Sequence, residues 1–214
     1  MNKHLLIFDM DGTILNTIED ITSAVNYILS KHDMPLRAVD EVKFFVGNGL
    51  KKTLLRSVPE GTDEAFVDSI YSDFTSYYKE HSRENTKPYD GIVECIHLLK
   101  DKGYKLAVVS NKRHEAVLKL CEEFFEGCFD MALGDQEGIN IKPAPDMVYR
   151  VLDELGFSKE DALYIADSDV DIMTARNSGL DCITVSWGFR SREFLVQKGA
   201  SVIIDKPADL LEIL

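Results

Sequence analysis

Six short apolar runs constrain this chain more than any other feature: Leu5–Phe8, Leu106–Val109, Met131–Leu133, Ala162–Ala166, Cys182–Val185 and Val202–Ile204. A run of a few apolar residues without polar alternation fits a strand buried on both faces, as in a parallel sheet. Between the later runs lie stretches of helical length and periodicity: Ile92–Lys102, His114–Phe124, Pro145–Leu155, Val170–Ser178 and Arg192–Lys198. Gly103, Gly156, Gly179 and Gly199 stand just past four of them, where a helix end takes a left-handed residue. Alternating strands and helices with short connections predict an α/β chain, with a Rossmann-like parallel sheet covered on both faces.

One region breaks the alternation. From about Ile18 to Tyr78 no strand run occurs, and the apolar residues follow helical spacing. Ile21, Ala24, Val25 and Ile28 form one stripe, and Phe66, Ile70, Phe74 and Tyr77 form another. An all-helical cap domain inserted after the first strand is the expected arrangement, entered through Ile14–Glu19 and left through Glu80–Tyr89. The expected division is a core of residues 1–17 and 84–214 around a cap of residues 18–83. The competing reading packs these helices directly on the sheet. No internal repeat or low-complexity segment is present.

At 214 residues the chain is long enough for one α/β domain and a modest second one. Its 45% hydrophobic and 29% charged residues are those of a globular protein. A formal net charge of -13 argues against nucleic acid or an anionic membrane as a general partner. A small phosphorylated substrate would need a metal and locally placed cations. No segment has the length of a transmembrane helix, and the N-terminal apolar run is too short for a signal peptide, so a cytoplasmic location is expected. Cys95, Cys121, Cys128 and Cys182 sit in apolar neighbourhoods without metal-ligand spacing. Buried reduced thiols are expected, and a Cys121–Cys128 disulfide is the lesser alternative.

The chemistry gathers where strands end. The first run leads into Asp9-Met10-Asp11-Gly12-Thr13, and Gly12 permits the tight turn that would fold both carboxylates toward one point. Paired carboxylates after a buried strand are unfavourable unless a cation meets them. In parallel sheets, ligands collect beyond these carboxyl ends. Ser110 and Asn111 end the second run, with groups suited to phosphate oxygens. Lys142 stands ahead of a helix, its approach fixed by Pro143 and Pro145. Asp167, Asp169 and Asp171 end the run through Ala166. Turn capping by a lone DxDGT is the bland alternative, and four such clusters in one order weigh against it.

These four clusters resemble, in order, the motifs of the haloacid dehalogenase superfamily, and the helical insertion resembles its subgroup with a helical cap. The phosphoglycolate phosphatase-like branch is similar through Asp9–Thr17, Val46-Gly47-Asn48-Gly49-Leu50 and Tyr89-Asp90-Gly91. The resemblance implies a Mg²⁺-dependent phosphatase acting on a small phosphorylated metabolite, with phosphoglycolate the leading substrate. Asp9 is implied as nucleophile and metal ligand, and Asp11 as general acid/base with its carbonyl on the metal. Thr13, Ser110 and Asn111 are implied to bind the phosphoryl group, and Lys142 to neutralise its charge and that of Asp9. Asp167 is implied as a further metal ligand, with Asp171 supporting it. Hard oxygen donors without His or Cys fit Mg²⁺.

Asp11 disfavours the metal-free dehalogenases and the phosphonate-cleaving branch, both of which lack that carboxylate. Ala166 replaces the usual glycine and tilts the reading from mutase to hydrolase. A pyrophosphatase, nucleotidase or sugar-phosphate mutase remains an alternative on the same machinery, and a non-catalytic phosphate-binding module a distant one. In the cap, Gly47, Asn48, Gly49 and Lys51 are candidates for substrate selection, against the plainer reading of a helix-start turn and an exposed face. Asp169 is read as a helix cap, Trp187 as packing, and the five histidines as incidental.

Overall fold

The structure, a computed structural model, describes residues 3–214. In chain order it contains β1 (Leu5–Phe8), β2 (Leu15–Asn16), α1 (Ile18–Lys31), α2 (Val39–Phe45), α3 (Leu50–Ser57), α4 (Glu64–His81) and β3 (Lys87–Pro88). There follow α5 (Ile92–Asp101), β4 (Lys105–Arg113), α6 (His114–Phe124), β5 (Met131–Asp135), α7 (Asp146–Leu155) and β6 (Ala162–Ala166). The chain ends with α8 (Asp169–Ser178), β7 (Asp181–Val185), α9 (Arg192–Gln197), β8 (Val202–Ile204) and α10 (Pro207–Ile213). Two compact units emerge, one of the segment up to Leu15 together with Pro88–Leu214, the other of Asn16–Lys87.

In the first unit, six strands form one parallel sheet in the order β5-β4-β1-β6-β7-β8. β1 is central, and the chain's later strands fall to its two sides, so the crevice for a ligand lies beyond its carboxyl end. Both faces of the sheet are buried. Leu6, Phe8, Val108 and Ile165 join α5, α6 and α10 in one apolar cluster. Leu5, Ile7, Val109 and Tyr164 join α7 and α8 in the other. Consecutive strand residues go to opposite clusters, which is why the apolar runs show no polar alternation.

In the second unit, Ile21, Ala24, Val25 and Ile28 of α1 are buried as their spacing predicts. On α4 the buried stripe is Val67, Ile70, Phe74 and Tyr78, turned by one residue from Phe66 and Tyr77 at its ends. Tyr77 stacks on Tyr27 with ring centroids 3.9 Å apart. The buried Asp20 ties the unit's two ends, accepting hydrogen bonds from the Asn85 and Thr86 backbone amides and from both of their side chains.

Several local expectations are corrected. β4 continues four residues past Val109, β2 and β3 span only two residues each, and α10 follows Lys206-Pro207, which reads as a turn. Pro145 is the N-cap of α7, not its first residue. The N-cap of α8 is Ser168; Asp169 lies inside the first turn and pairs with Arg190 at 3.3 Å. All four cysteines are free, Cys121 and Cys128 included. Burial pushes the Cys95 thiol up to about 11 and that of Cys121 to about 12, which keeps both protonated. Among the described residues, no helix is long and apolar enough to cross a membrane.

Candidate active site

The site is assembled at the carboxyl ends of β1, β4 and β6. Parallel register sets Phe8 beside Val108 and Ile165, so Asp9, Ser110 and Asp167 leave neighbouring strands near one level. The Asp9 amide donates to the Ile165 carbonyl at 2.9 Å, carrying the ladder one residue further. The chain then turns back, with the Thr13, Ile14 and Leu15 amides all donating to the Met10 carbonyl. Gly12 sits in this turn at φ 93°.

Lys142 is the hub. Its ammonium lies 2.6 Å from Asp9 Oδ1 and 2.7 Å from Asp171 Oδ1, with all three side chains buried. Its own backbone is gripped by Asn111, whose Oδ1 accepts from the Lys142 amide at 2.7 Å while Nδ2 donates to the Lys142 carbonyl at 3.0 Å. Asp171 is held in addition by the Ser168 hydroxyl and by the Tyr164 hydroxyl, the latter at 3.2 Å. Burial alone would lower the Lys142 pKa, but Asp171 and Asp9 drive it well above the ordinary value.

Asp167 occupies a fitted cradle. Its Oδ2 accepts from the Phe189 amide at 2.6 Å, and its Oδ1 lies 3.3 Å from the Thr13 hydroxyl. A Cβ placed on Gly12 would come within 2.4 Å of Asp167 Oδ2, and one on Gly188 within 2.3 Å of Asp167 Cβ. Both glycines are therefore needed for close approach. Trp187 donates its indole N–H to the Thr13 carbonyl at 3.0 Å and so braces the β1 turn, a role beyond packing.

Asp9, Asp167 and Asp171 each offer a carboxylate oxygen within 4.8 Å of the others. Burial, with Asp171 nearby, pushes Asp167 up to about 7. Burial and Asp171 likewise hold Asp9 well above the usual carboxylate range, against the pull of Lys142. Carboxylates so crowded favour a proton or a cation among them. Charge points the same way. Lys112 meets Asp11, and Lys142 meets Asp9 and Asp171; with Asp167 beside them the carboxylates outnumber these two ammoniums, an excess that a divalent cation would balance. The all-oxygen donor set suits Mg²⁺.

The structure thus gathers Asp9, Asp11, Thr13, Ser110, Asn111, Lys142, Asp167 and Asp171 in one unit. Gly47, Asn48, Gly49 and Lys51 belong to the other. There Asn48 accepts from the Arg56 guanidinium at 2.8 Å, and Lys51 pairs with Asp68 of α4 at 2.7 Å. Phe189 follows β7 and is expected at the rim of the site, where its amide reaches Asp167; Lys112 and Gly188 are not expected from the sequence. The signal for Lys112 lay one residue past Asn111; Gly188 needed the tertiary approach to be seen.

The family profile for Haloacid dehalogenase-like hydrolase matches residues 6–185. The phosphoglycolate phosphatase of Aquifex aeolicus is 30% identical over 98% of this chain and 96% of its own length. The pyrophosphatase PpaX of Bacillus cereus is 29% identical over 100% of this chain and 97% of its own. A crystal structure from Lactobacillus delbrueckii subsp. bulgaricus, provisionally named a phosphoglycolate phosphatase, is 40% identical. It superposes with a TM-score of 0.95 and covers 100% of this chain and 98% of that one.

Proposed function

The chain belongs to the haloacid dehalogenase-like hydrolase family and is a phosphatase; from that premise we propose that it is a Mg²⁺-dependent enzyme working through an aspartyl-phosphate on Asp9, with 2-phosphoglycolate as substrate. The observation that carries this reading is the Asp9 carboxylate, fixed by Lys142 at 2.6 Å within 4.8 Å of two further carboxylates. Asp9, Asp167 and the backbone carbonyl of Asp11 would hold the metal, with Asp171 supporting it through Lys142. When bound, Mg²⁺ screens the repulsion between a carboxylate nucleophile and a phosphate dianion.

The Asp9 carboxylate attacks phosphorus, and the ester oxygen leaves with a proton from Asp11. Water then attacks the aspartyl-phosphate, Asp11 takes its proton, and phosphate departs with the Asp9 carboxylate restored. Asp11 suits this exchange because its side chain is 16% exposed, against 8% for Asp9 and 1% for Asp171. Thr13 and Ser110 bring hydroxyls to the transferring group. Asn111 contributes through its double grip on Lys142. Lys142 meets the charge that develops on Asp9 and the phosphoryl oxygens.

The helical unit, including Gly47, Asn48, Gly49 and Lys51, is assigned to selection of the leaving group. Four free thiols fit a cytoplasmic compartment. Phosphate release from phosphoglycolate, pyrophosphate, nucleoside monophosphates and sugar phosphates, with and without Mg²⁺, tests the reading. Mg²⁺-dependent release from phosphoglycolate above the rest is expected, and silence across the panel sinks it. Preference for pyrophosphate is the second reading, favoured by the full-length similarity to PpaX. Asp9→Asn removes the nucleophile and should abolish turnover with the fold intact; normal hydrolysis by that variant, once deamidation is excluded, refutes the mechanism.

A further inference from the structure

Lys112 is a buried lysine at a point where the register of its strand breaks. Along an extended strand, side chains alternate between faces, and because both faces of this sheet are covered, Ser110, Asn111 and Lys112 are all buried. The pairing of β4 with β5 shifts register between Val109 and Arg113, which marks a bulge over these three residues. Bulges re-aim side chains beside active sites. The bulge is accommodated from the neighbouring strand: a Cβ on Gly134 of β5 would lie 2.4 Å from the Lys112 carbonyl. Inside the bulge, the Lys112 amide donates to Ser110 Oγ at 3.2 Å. Its ammonium reaches Asp11 Oδ1 at 3.0 Å, with a side chain only 3% exposed.

A buried ammonium is unfavourable unless paired, and here backbone irregularity and a glycine serve to bring it to Asp11. We infer that Lys112 is a positioning residue for Asp11, holding its carboxylate oriented to receive the water proton in the second half-reaction. This rests on the phosphatase reading above. In that half-reaction the bond from water oxygen to phosphorus forms as the bond from Asp9 to phosphorus breaks. The water proton passes to Asp11, and phosphate and the Asp9 carboxylate are the products. The base must lie within hydrogen-bond reach of the water it deprotonates, so with a leaving group that needs no acid the demand on Lys112 falls on this step. Departure of an acidic phenol, which needs no proton, is unaffected.

The test uses the full chain, Mg²⁺ and p-nitrophenyl phosphate, whose leaving group needs no acid. Lys112→Met keeps the apolar stem and removes the charge; Lys112→Arg restores it. In Lys112→Met, kcat/KM, which covers steps up to loss of nitrophenol, should stay within about 3-fold of wild type, while dephosphorylation slows by about 10²-fold, the usual scale of general-base assistance. Acid-quenched enzyme should then carry a phosphoryl group on Asp9, seen by intact mass, with a stoichiometric burst of nitrophenol. Lys112→Arg should recover most of the rate.

A fall in kcat/KM equal to that in kcat, with no trapped phosphoenzyme, overturns the inference. So does an unchanged rate, or a Lys112→Arg variant as slow as Lys112→Met. A folding defect is separated by thermal melting, and Lys112→Arg, if it alone folds, still tests the step through phosphoenzyme trapping. Absence of Mg²⁺-dependent turnover in the wild type would instead count against the phosphatase reading itself.

Discussion

Lys142 illustrates how one side chain serves both stability and chemistry. Its ammonium separates two buried carboxylates, Asp9 and Asp171. Removing one partner of a buried ion pair costs about 3–5 kcal/mol, because the remaining charge is left without compensation. Lys142→Met is therefore expected to unfold at a lower temperature without divalent cation and to lose activity, with Asp171→Asn in the same chain recovering stability but not turnover. Differential scanning calorimetry with a phosphatase assay checks both. Gly188 serves the site by its size, since an added Cβ would strike Asp167 Cβ and the Gly12 carbonyl. Gly188→Ala is expected to destabilise by about 1–3 kcal/mol and to weaken Mg²⁺ dependence; an unchanged Mg²⁺ titration would contradict the cradle. Asp9, Ser110, Asn111, Lys142 and Asp167 stood out in sequence because each follows an apolar run or a proline-fixed approach. Lys112 did not, because a bulge leaves no trace in the pattern of apolar residues and only strand register reveals which way its side chain goes.

At the scale of elements, the sheet separates support from chemistry. While the site occupies the carboxyl ends of the strands, Asp130 pins their amino ends. It pairs with Lys100 of α5 at 2.7 Å and Lys105 of β4 at 2.8 Å, and accepts from the Leu106 amide at 3.0 Å. Burial would raise the Asp130 pKa, but the two lysines and the amide outweigh it and bring it down to about 2. A carboxylate whose folded pKa is depressed contributes stability above its unfolded pKa of about 4, and that contribution is lost as pH falls through about 2. Asp130→Asn should thus cost about 1–2 kcal/mol at neutral pH and progressively less as the pH falls below 4 toward 2. Urea unfolding at several pH values would show the two curves converge; a constant gap would exclude the ionised form as the cause. The six strands were legible because burial on both faces makes them continuous apolar runs. β2, β3 and α10 were not: the first two span two residues each, and α10 begins in Lys206-Pro207, which reads as a turn. The stripe on α4 holds at Ile70 and Phe74 and is off by one residue only at its ends, where aromatic residues flank it and Tyr77 packs on Tyr27 instead.

For the molecule as a whole, charge is the quantity that links fold to ligand. A net charge of -13 includes the cluster in which four carboxylates face two ammoniums. The folded chain concentrates these carboxylates and the unfolded chain disperses them, so a divalent cation binds the folded state in preference. Any such ligand stabilises by RT ln(1 + [L]/Kd), which is about 2.7 kcal/mol at one hundred times Kd. For a domain of this size that amounts to a rise of about 5–10 °C in melting temperature. Mg²⁺ at millimolar concentration should produce a shift of this order, and EDTA should reverse it. The shift should grow between pH 6 and pH 8, because protons compete with the metal for the same carboxylates. Asp167→Asn supplies the control: it removes one ligand while leaving Lys142, Asp9 and the net charge of the rest unchanged. If Asp167→Asn responds to Mg²⁺ as strongly as the parent chain, the cation is binding diffusely to an acidic surface, and the assignment of the cluster as a metal centre fails. If the shift is confined to the parent chain, the excess negative charge at the ends of β1 and β6 is what the cation recognises, and activity and thermal stability should follow the same Mg²⁺ titration.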